Sequence, residues 1–228
     1  MVPLGFLAFI VICLAVDGFV QIARKRRAAV MDSVAEKVGV LDEGSIIVPK
    51  GIYFDKSHTW AFMGKFGDVK IGIDDFLQNV VGNITKIEMK ETGTFLKKGD
   101  TAFTIVQNGK RLNVNSPVTG KIISQNQIFT NDVSSINSSP YNEGWVYKIE
   151  PDDWQNDTRF MMMAEKAKEW IGKEFIRLKD FLTMKLSTKS MDLAYIPMQD
   201  GGQLKSNILE DLGPAVWEDF QTNFLNKN

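Results

Sequence analysis

Between Gly51 and Pro151 the chain is cut into short apolar runs separated by Gly, Asn and Asp, and this punctuation limits the architectures open to it. Apolar and polar residues alternate in Val69 to Ile73, Ile84 to Met89, Phe103 to Val106, Leu112 to Asn115, Gly120 to Ile123 and Trp145 to Ile149. Each run has the length and period of a half-buried strand. Many short strands with closely spaced turn signals predict a sandwich or barrel. A short helix is expected over Asp74 to Val80, with Asp74 as its N-cap. Gly93 and Gly99 bracket a turn kept solvated by Lys97 and Lys98, and Gly120 permits a reversal between strands. Tyr141 and Trp145 are expected to close one end of the barrel.

Before this region lies an apolar stretch, Met1 to Ala23, with thirteen Leu, Ile, Phe or Val residues, followed by Arg24, Lys25, Arg26 and Arg27. At roughly −0.3 to −0.6 kcal/mol each, these residues outweigh a cost of roughly 3 kcal/mol for Asp17. The basic cluster then predicts a single-pass helix with its N-terminus outside and the rest of the chain on the cytoplasmic face of the inner membrane. Asp17 is expected to face a partner helix or to snorkel, and Cys13 to fill apolar space.

Composition removes several functions. Lys and Arg number 27 against 28 Asp and Glu, so no global basic field exists to capture nucleic acid. One Cys and one His exclude an internal disulfide and ordinary Cys/His zinc sites. His58, before Trp60 at a strand start, reads as a hydrogen-bonded structural histidine, because nothing nearby supplies a nucleophile with an oriented acid. The expectations are therefore no enzyme, no metal and no nucleic-acid partner.

From Trp154 to Leu186 the period becomes helical, with Phe160, Met163, Ala167, Ile171, Phe175, Leu178 and Leu182 on one stripe. Arg159 to Lys189 holds eight basic and four acidic residues. Such a helix either rests on anionic lipid or docks on the β domain with its basic face solvated. Met161 to Met163 supply adaptable packing. A second amphipathic segment runs through Ile208, Leu212, Val216, Phe220 and Phe224, broken near Gly213 and Pro214. Its Trp217 and Phe224 suit a partner surface or packing within the chain. The expected domains are a transmembrane helix (1–23), a basic juxtamembrane linker (24–50), a β domain (51–151) and a C-terminal helical extension (152–228).

Several segments in the middle region resemble the H protein of the glycine cleavage system. SHTW (Ser57 to Trp60) is similar to that family's HEW segment, and IGIDDFLQNVVGNI (Ile71 to Ile84) to its IGITDYAQ…LGDI segment. GTFLKKGD (Gly93 to Asp100), NSPVTGKI (Asn115 to Ile122) and SPYNEGWVYKIEP (Ser139 to Pro151) are similar to its GTxLKKGD, APVSGxV and DPYGEGWLxKIxP segments. The resemblance implies a barrel-sandwich hybrid of the lipoyl-domain type, mainly β with α additions. It also implies a carrier role, with lipoate on a lysine at a hairpin tip within a motif like ESVKA.

The hairpin expected here is FTIVQNGKRLNVNSP (Phe103 to Pro117), with Asn108-Gly109 as a type I′ turn. That turn predicts Gln107 opposite Lys110, Val106 opposite Arg111 and Ile105 opposite Leu112. The family lysine stands eight residues before its proline, a position held here by Gly109, whereas Lys110 stands seven before Pro117. A slip of one residue turns a strand side chain to the other face, and Arg111 adds a bulky cation beside it. The expectation is therefore a membrane-anchored, non-catalytic module without a cofactor. It would serve as an accessory or assembly subunit of a membrane complex, redox complexes among them, in contact with other subunits and the lipid bilayer through Asp17, Arg24 to Arg27, Trp217 and Phe224. The alternative is a working carrier with lipoate on Lys110. An efflux-pump adaptor would need a coiled-coil insertion that the Asn-Gly-Lys tip cannot hold, and the opposite membrane topology.

Overall fold

The computed structural model describes residues 40–130, 132–188, 198–199 and 203–226. The expected membrane span, with Asp17 and the Arg24 to Arg27 cluster, lies outside them. Among the described residues no helix is long and apolar enough to cross a membrane.

Strand β1 is Val40–Leu41. Strands β2 (Tyr53–Asp55), β3 (Thr59–Met63), β4 (Val69–Ile73), β10 (Tyr147–Pro151), β9 (Gly120–Gln125) and β6 (Phe95–Leu96) form one sheet in the order β2-β3-β4-β10-β9-β6. Strands β5 (Lys86–Met89), β7 (Thr101–Gln107) and β8 (Lys110–Asn115) form a second, in that order. Their inner faces share a core in which Phe54, Trp60, Ile71, Phe103, Ile105, Leu112, Ile122 and Tyr147 are buried. Each such aliphatic or aromatic side chain contributes about 1.5–3 kcal/mol. The alternating runs read from the sequence each overlap a strand, although Ile84, Thr85, Trp145 and Val146 lie ahead of theirs, and the sandwich-type expectation holds.

β2, β3 and β6 carry no alternation. In β3 the first three residues, Thr59, Trp60 and Ala61, are all buried, so its sequence reads as continuous rather than period two. Gly120 is needed where three strands converge: it stands opposite Leu96 on one side and Pro151 on the other. A Cβ there would lie 2.2 Å from the Glu150 carbonyl oxygen, which belongs to the backbone and cannot yield. Gly120→Ala is expected to cost about 2 kcal/mol, read as a lower urea midpoint with unchanged slope.

Helix α1 (Asp75–Val81) follows β4 directly, and Asp74 Oδ1 accepts from the Leu77 N–H at 2.8 Å. Tyr141 closes this end, as expected: its hydroxyl accepts from the Asp75 N–H at 2.9 Å, and its ring meets Phe54 edge-on at 5.8 Å. A single turn, α2 (Ser135–Ser138), precedes β10.

The extension departs from one uninterrupted stripe. Helix α3 (Trp154–Thr158) and helix α4 (Ala164–Thr188) are separated where Met162 and Phe54 exchange backbone hydrogen bonds, each 2.8 Å, across an isolated bridge. Phe160, expected on the buried stripe, lies in this break and is 79% exposed. From Ala167 onward the stripe is real. Ala167, Trp170, Ile171, Phe175, Leu178, Phe181 and Leu182 pack into the shared core, so of the two expectations for this helix the docked one describes the molecule.

After α4 come a hairpin of β11 (Met198–Gln199) and β12 (Gln203–Lys205), a turn over residues 206–212, helix α5 (Pro214–Asp219) and a π-helical turn, Phe220–Leu225. Pro214 begins α5 after Gly213, a position where its missing N–H costs nothing. Trp217 and Phe224 are not presented to a partner. Both are 1% exposed, because the apolar side of this segment turns onto α4 and the β domain. Phe224 lies 6.0 Å from Phe181 and 6.4 Å from Phe76, ring centre to ring centre.

Candidate functional site

The β7–β8 hairpin forms as its sequence dictates. Asn108 (φ 48°) and Gly109 (φ 81°) both occupy the left-handed region that a type I′ turn requires. The pairs Gln107–Lys110, Val106–Arg111 and Ile105–Leu112 fall in the expected register. Lys110 is therefore the first residue of the return strand, on the side of β8 shared with buried Leu112 and Val114.

That placement decides the surroundings of its amine. Lys110 Nζ donates to the backbone carbonyls of Glu210 at 2.7 Å, Leu209 at 3.2 Å and Leu212 at 3.2 Å. It also sits over the Trp217 ring, 5.0 Å from the centroid. Burial holds the amine below the usual lysine range, while the charges of Glu210 and Asp211 pull the other way. Arg111, expected to crowd Lys110, points to the opposite side of the strand and forms a two-pronged pair with Glu88 on β5. Gln107 is buried, with its amide donating to the Val81 carbonyl at 3.3 Å.

The 206–212 turn is seated on α1. The Asn207 N–H donates to the Asn79 carbonyl at 2.7 Å and the Leu209 N–H to the Val80 carbonyl at 3.0 Å. Trp217 Nε1 donates to the Leu209 carbonyl at 2.7 Å, so one oxygen accepts from both the indole and Lys110. Further along, the Gln221 side-chain oxygen accepts from the Asn113 N–H of β8 at 2.6 Å. Apart from the Trp217–Leu209 bond, these contacts have no sequence signal, since their members lie about a hundred or more positions apart.

His58 is the second polar centre. It sits in the β2–β3 turn at φ 58°, fully buried. Its Nδ1 is 2.9 Å from Asp74 Oδ2, and its Nε2 is 3.3 Å from Glu174 Oε2 on α4. Phe76 and Trp170 stack on the ring, with centroids at 4.7 and 4.8 Å. Burial alone would depress the imidazole, but the charges and hydrogen bonds of Asp74 and Glu174 outweigh it and raise the pKa to about 9. Both ring nitrogens therefore carry protons at neutral pH. For Glu174, burial is outweighed by hydrogen bonds and charge from His58 and Arg177, which hold its carboxyl below the usual range. Ser57 and Thr59 bond to each other and Ser57 to Asp55, leaving the imidazole no hydroxyl to activate. Glu174 was missed by the sequence reading. Its signal is an acid placed three residues after Ile171, on the face the helix buries.

A family model described as "Glycine cleavage H-protein" matches residues 52–174. The probable glycine cleavage system H protein of Pyrococcus abyssi is 31% identical over 132 residues, covering 58% of this chain and 98% of that protein. The glycine cleavage system H protein of Coprothermobacter proteolyticus is 34% identical over 126 residues, covering 55% and 98%. That of Saccharophagus degradans is 35% identical over 110 residues, covering 48% and 85%. A crystal structure of a glycine cleavage system H protein from Mycobacterium marinum superposes with a TM-score of 0.49 at 19% identity, covering 55% of this chain and 99% of that one.

H proteins are lipoyl carriers rather than catalysts, and they work with the other glycine cleavage subunits. Because these homologues carry lipoate on a lysine, the expectation that this chain has no cofactor is overturned. With the match spanning more than half of the sequence, from Ile52 through Glu174, the chain belongs to the glycine cleavage H-protein family.

Proposed function

We propose that this protein is a lipoyl carrier in which Lys110 bears lipoate in amide linkage. The observation that supports this reading most is positional. Lys110 is the sole lysine of the β7–β8 hairpin, it adjoins the type I′ tip, and the hairpin belongs to an H-protein family domain. The one-residue offset from the family spacing places the amine beside the tip rather than at its apex. Lipoate, when attached, would supply a dithiol arm that carries a substrate-derived group between the active sites of partner enzymes. The chain's own part is to hold the attachment point on a rigid two-stranded ribbon. Packing of that ribbon against β5, and the Arg111–Glu88 pair across them, fix its direction.

The partners proposed are the other subunits of a glycine cleavage system. The apolar run of residues 1–23 and the cluster Arg24 to Arg27 support a carrier held at the cytoplasmic face of the inner membrane, with Asp17 against a neighbouring helix. Membrane fractionation followed by a carbonate wash tests that placement, and recovery in the soluble fraction would overturn it.

Peptide mass spectrometry of the protein from a host with an active lipoate ligase tests the main reading. A lipoyl adduct is expected on the peptide containing Lys110, and Lys110→Arg should remove it completely while leaving the thermal transition in place. Unmodified Lys110 under those conditions would end this proposal.

A further inference from the structure

The amine proposed to be acylated is already engaged in this structure. Lys110 Nζ meets three backbone carbonyls and the face of Trp217, all contributed by the C-terminal tail. An ammonium has three N–H donors and no lone pair. With all three directed at Leu209, Glu210 and Leu212, the nitrogen offers no free bonding direction to an acyl carbon while these contacts hold.

The tail is placed to do this by contacts of its own. Asn207 and Leu209 bond to the last turn of α1, Trp217 and Phe220 fill the core, and Gln221 reaches the backbone of β8. The tail thus spans the hairpin from α1 to the edge of β8, with Lys110 beneath it.

Resting on the reading of Lys110 as the acylated lysine, we propose that the tail, residues 203–226, is a gate over the attachment site, closed while Lys110 is unmodified and displaced once it is acylated. The chemistry makes the coupling reciprocal. In the reaction the Lys110 nitrogen attacks the carboxyl carbon of an activated acyl donor, such as an acyl adenylate. The ammonium first gives one proton to solvent; then a C–N bond forms, the C–O bond to the nucleotide phosphate breaks with the nucleotide leaving, and a second proton passes from nitrogen to solvent. The product amide keeps one N–H and no charge. It can satisfy one of the three carbonyls at most, and its attraction to the Trp217 ring is lost. Tail closure therefore opposes acylation, and acylation opposes closure by the same factor. The gate would leave the arm mobile only after loading, and would keep unloaded carriers in a shape that partner enzymes can distinguish.

Hydrogen exchange on the full chain tests the gate without any ligase. Lys110→Gln presents a neutral amide like the acylated residue, whereas Lys110→Arg keeps charge and several donors. Exchange in peptides covering residues 207–226 is expected to quicken by about tenfold or more in the Gln variant and to stay near the unmodified rate in the Arg variant. Equal protection in all three proteins would overturn the gate. A second measurement follows the amine itself. With an acetylating reagent, Lys110 should react at least about tenfold more slowly than exposed Lys86, since reaction awaits local opening. Trp217→Phe combined with Gln221→Ala should narrow that difference, and an unchanged or absent difference counts against the gate. If the lysine proves protected and yet is never lipoylated after release, the gate stands and the carrier reading fails. If it is lipoylated as readily with the tail closed as with it loosened, the carrier reading stands and the gate fails.

Discussion

His58→Ala should be among the most damaging single substitutions in this protein, with an expected loss of about 3–5 kcal/mol of unfolding free energy. The imidazolium lies between two carboxylates, Asp74 and Glu174, that are themselves 0% and 5% exposed. Removing it leaves two acids facing one another across a hole from which water was excluded. Their mutual repulsion and lost solvation add to the lost stacking against Phe76 and Trp170. Asp74 has a second duty as cap of α1, so its displacement would also loosen the first turn of that helix. Urea unfolding of the full chain measures the effect. Glu174→Gln, which keeps an oxygen toward the ring, should cost less than half as much. A His58→Ala protein within about 1 kcal/mol of the parent would show that the network contributes no more than ordinary surface pairs.

Stability should also fall steeply as the solution becomes alkaline. The His58 pKa is raised from 6.5 to about 9 in the folded state, so folding favours the proton. For a raised pKa the stabilisation is complete below 6.5 and disappears as pH climbs through 9. A shift of this size corresponds to on the order of 3 kcal/mol between those limits. Thermal melts across this range should show a progressive fall in Tm that is absent in His58→Gln. Glu174 stays ionised throughout, because its carboxyl is held below the usual range. A flat profile for the parent protein would place the imidazole proton elsewhere.

The parts of the molecule that could be read beforehand are those whose causes are local. Asn108-Gly109 demands positive φ at two successive residues, and alternation on either side then fixes the register of β7 and β8 pair by pair. Asp74 before an apolar helical run fixes the start of α1 in the same way. What could not be read depends on meetings between distant segments. The three carbonyls on Lys110 lie about a hundred residues downstream of it, and Glu174 is 116 residues from His58. A single stripe through Phe160 is likewise consistent with helix, and only the exchange of backbone bonds between Phe54 and Met162 breaks it. Trp217 and Phe224 illustrate the same limit: an amphipathic pattern says that a face will be covered and leaves open by what. For the cofactor, the one-residue offset at Gly109 points away from lipoate while five matching segments point towards it, and the family match sides with the segments.

The Gln221 side chain on the backbone of Asn113 has a consequence for solubility. β8 is the outermost strand of its sheet, and a strand in that place offers unpaired N–H and C=O groups to any neighbouring molecule. Proteolytic loss of the last turns would uncover this border beside freshly exposed phenylalanines. The clipped molecules should then associate as protein concentration rises, so light scattering after limited digestion reports how well the border is shielded. Excursions away from the sheet that last too long would carry the same hazard, which favours brief ones.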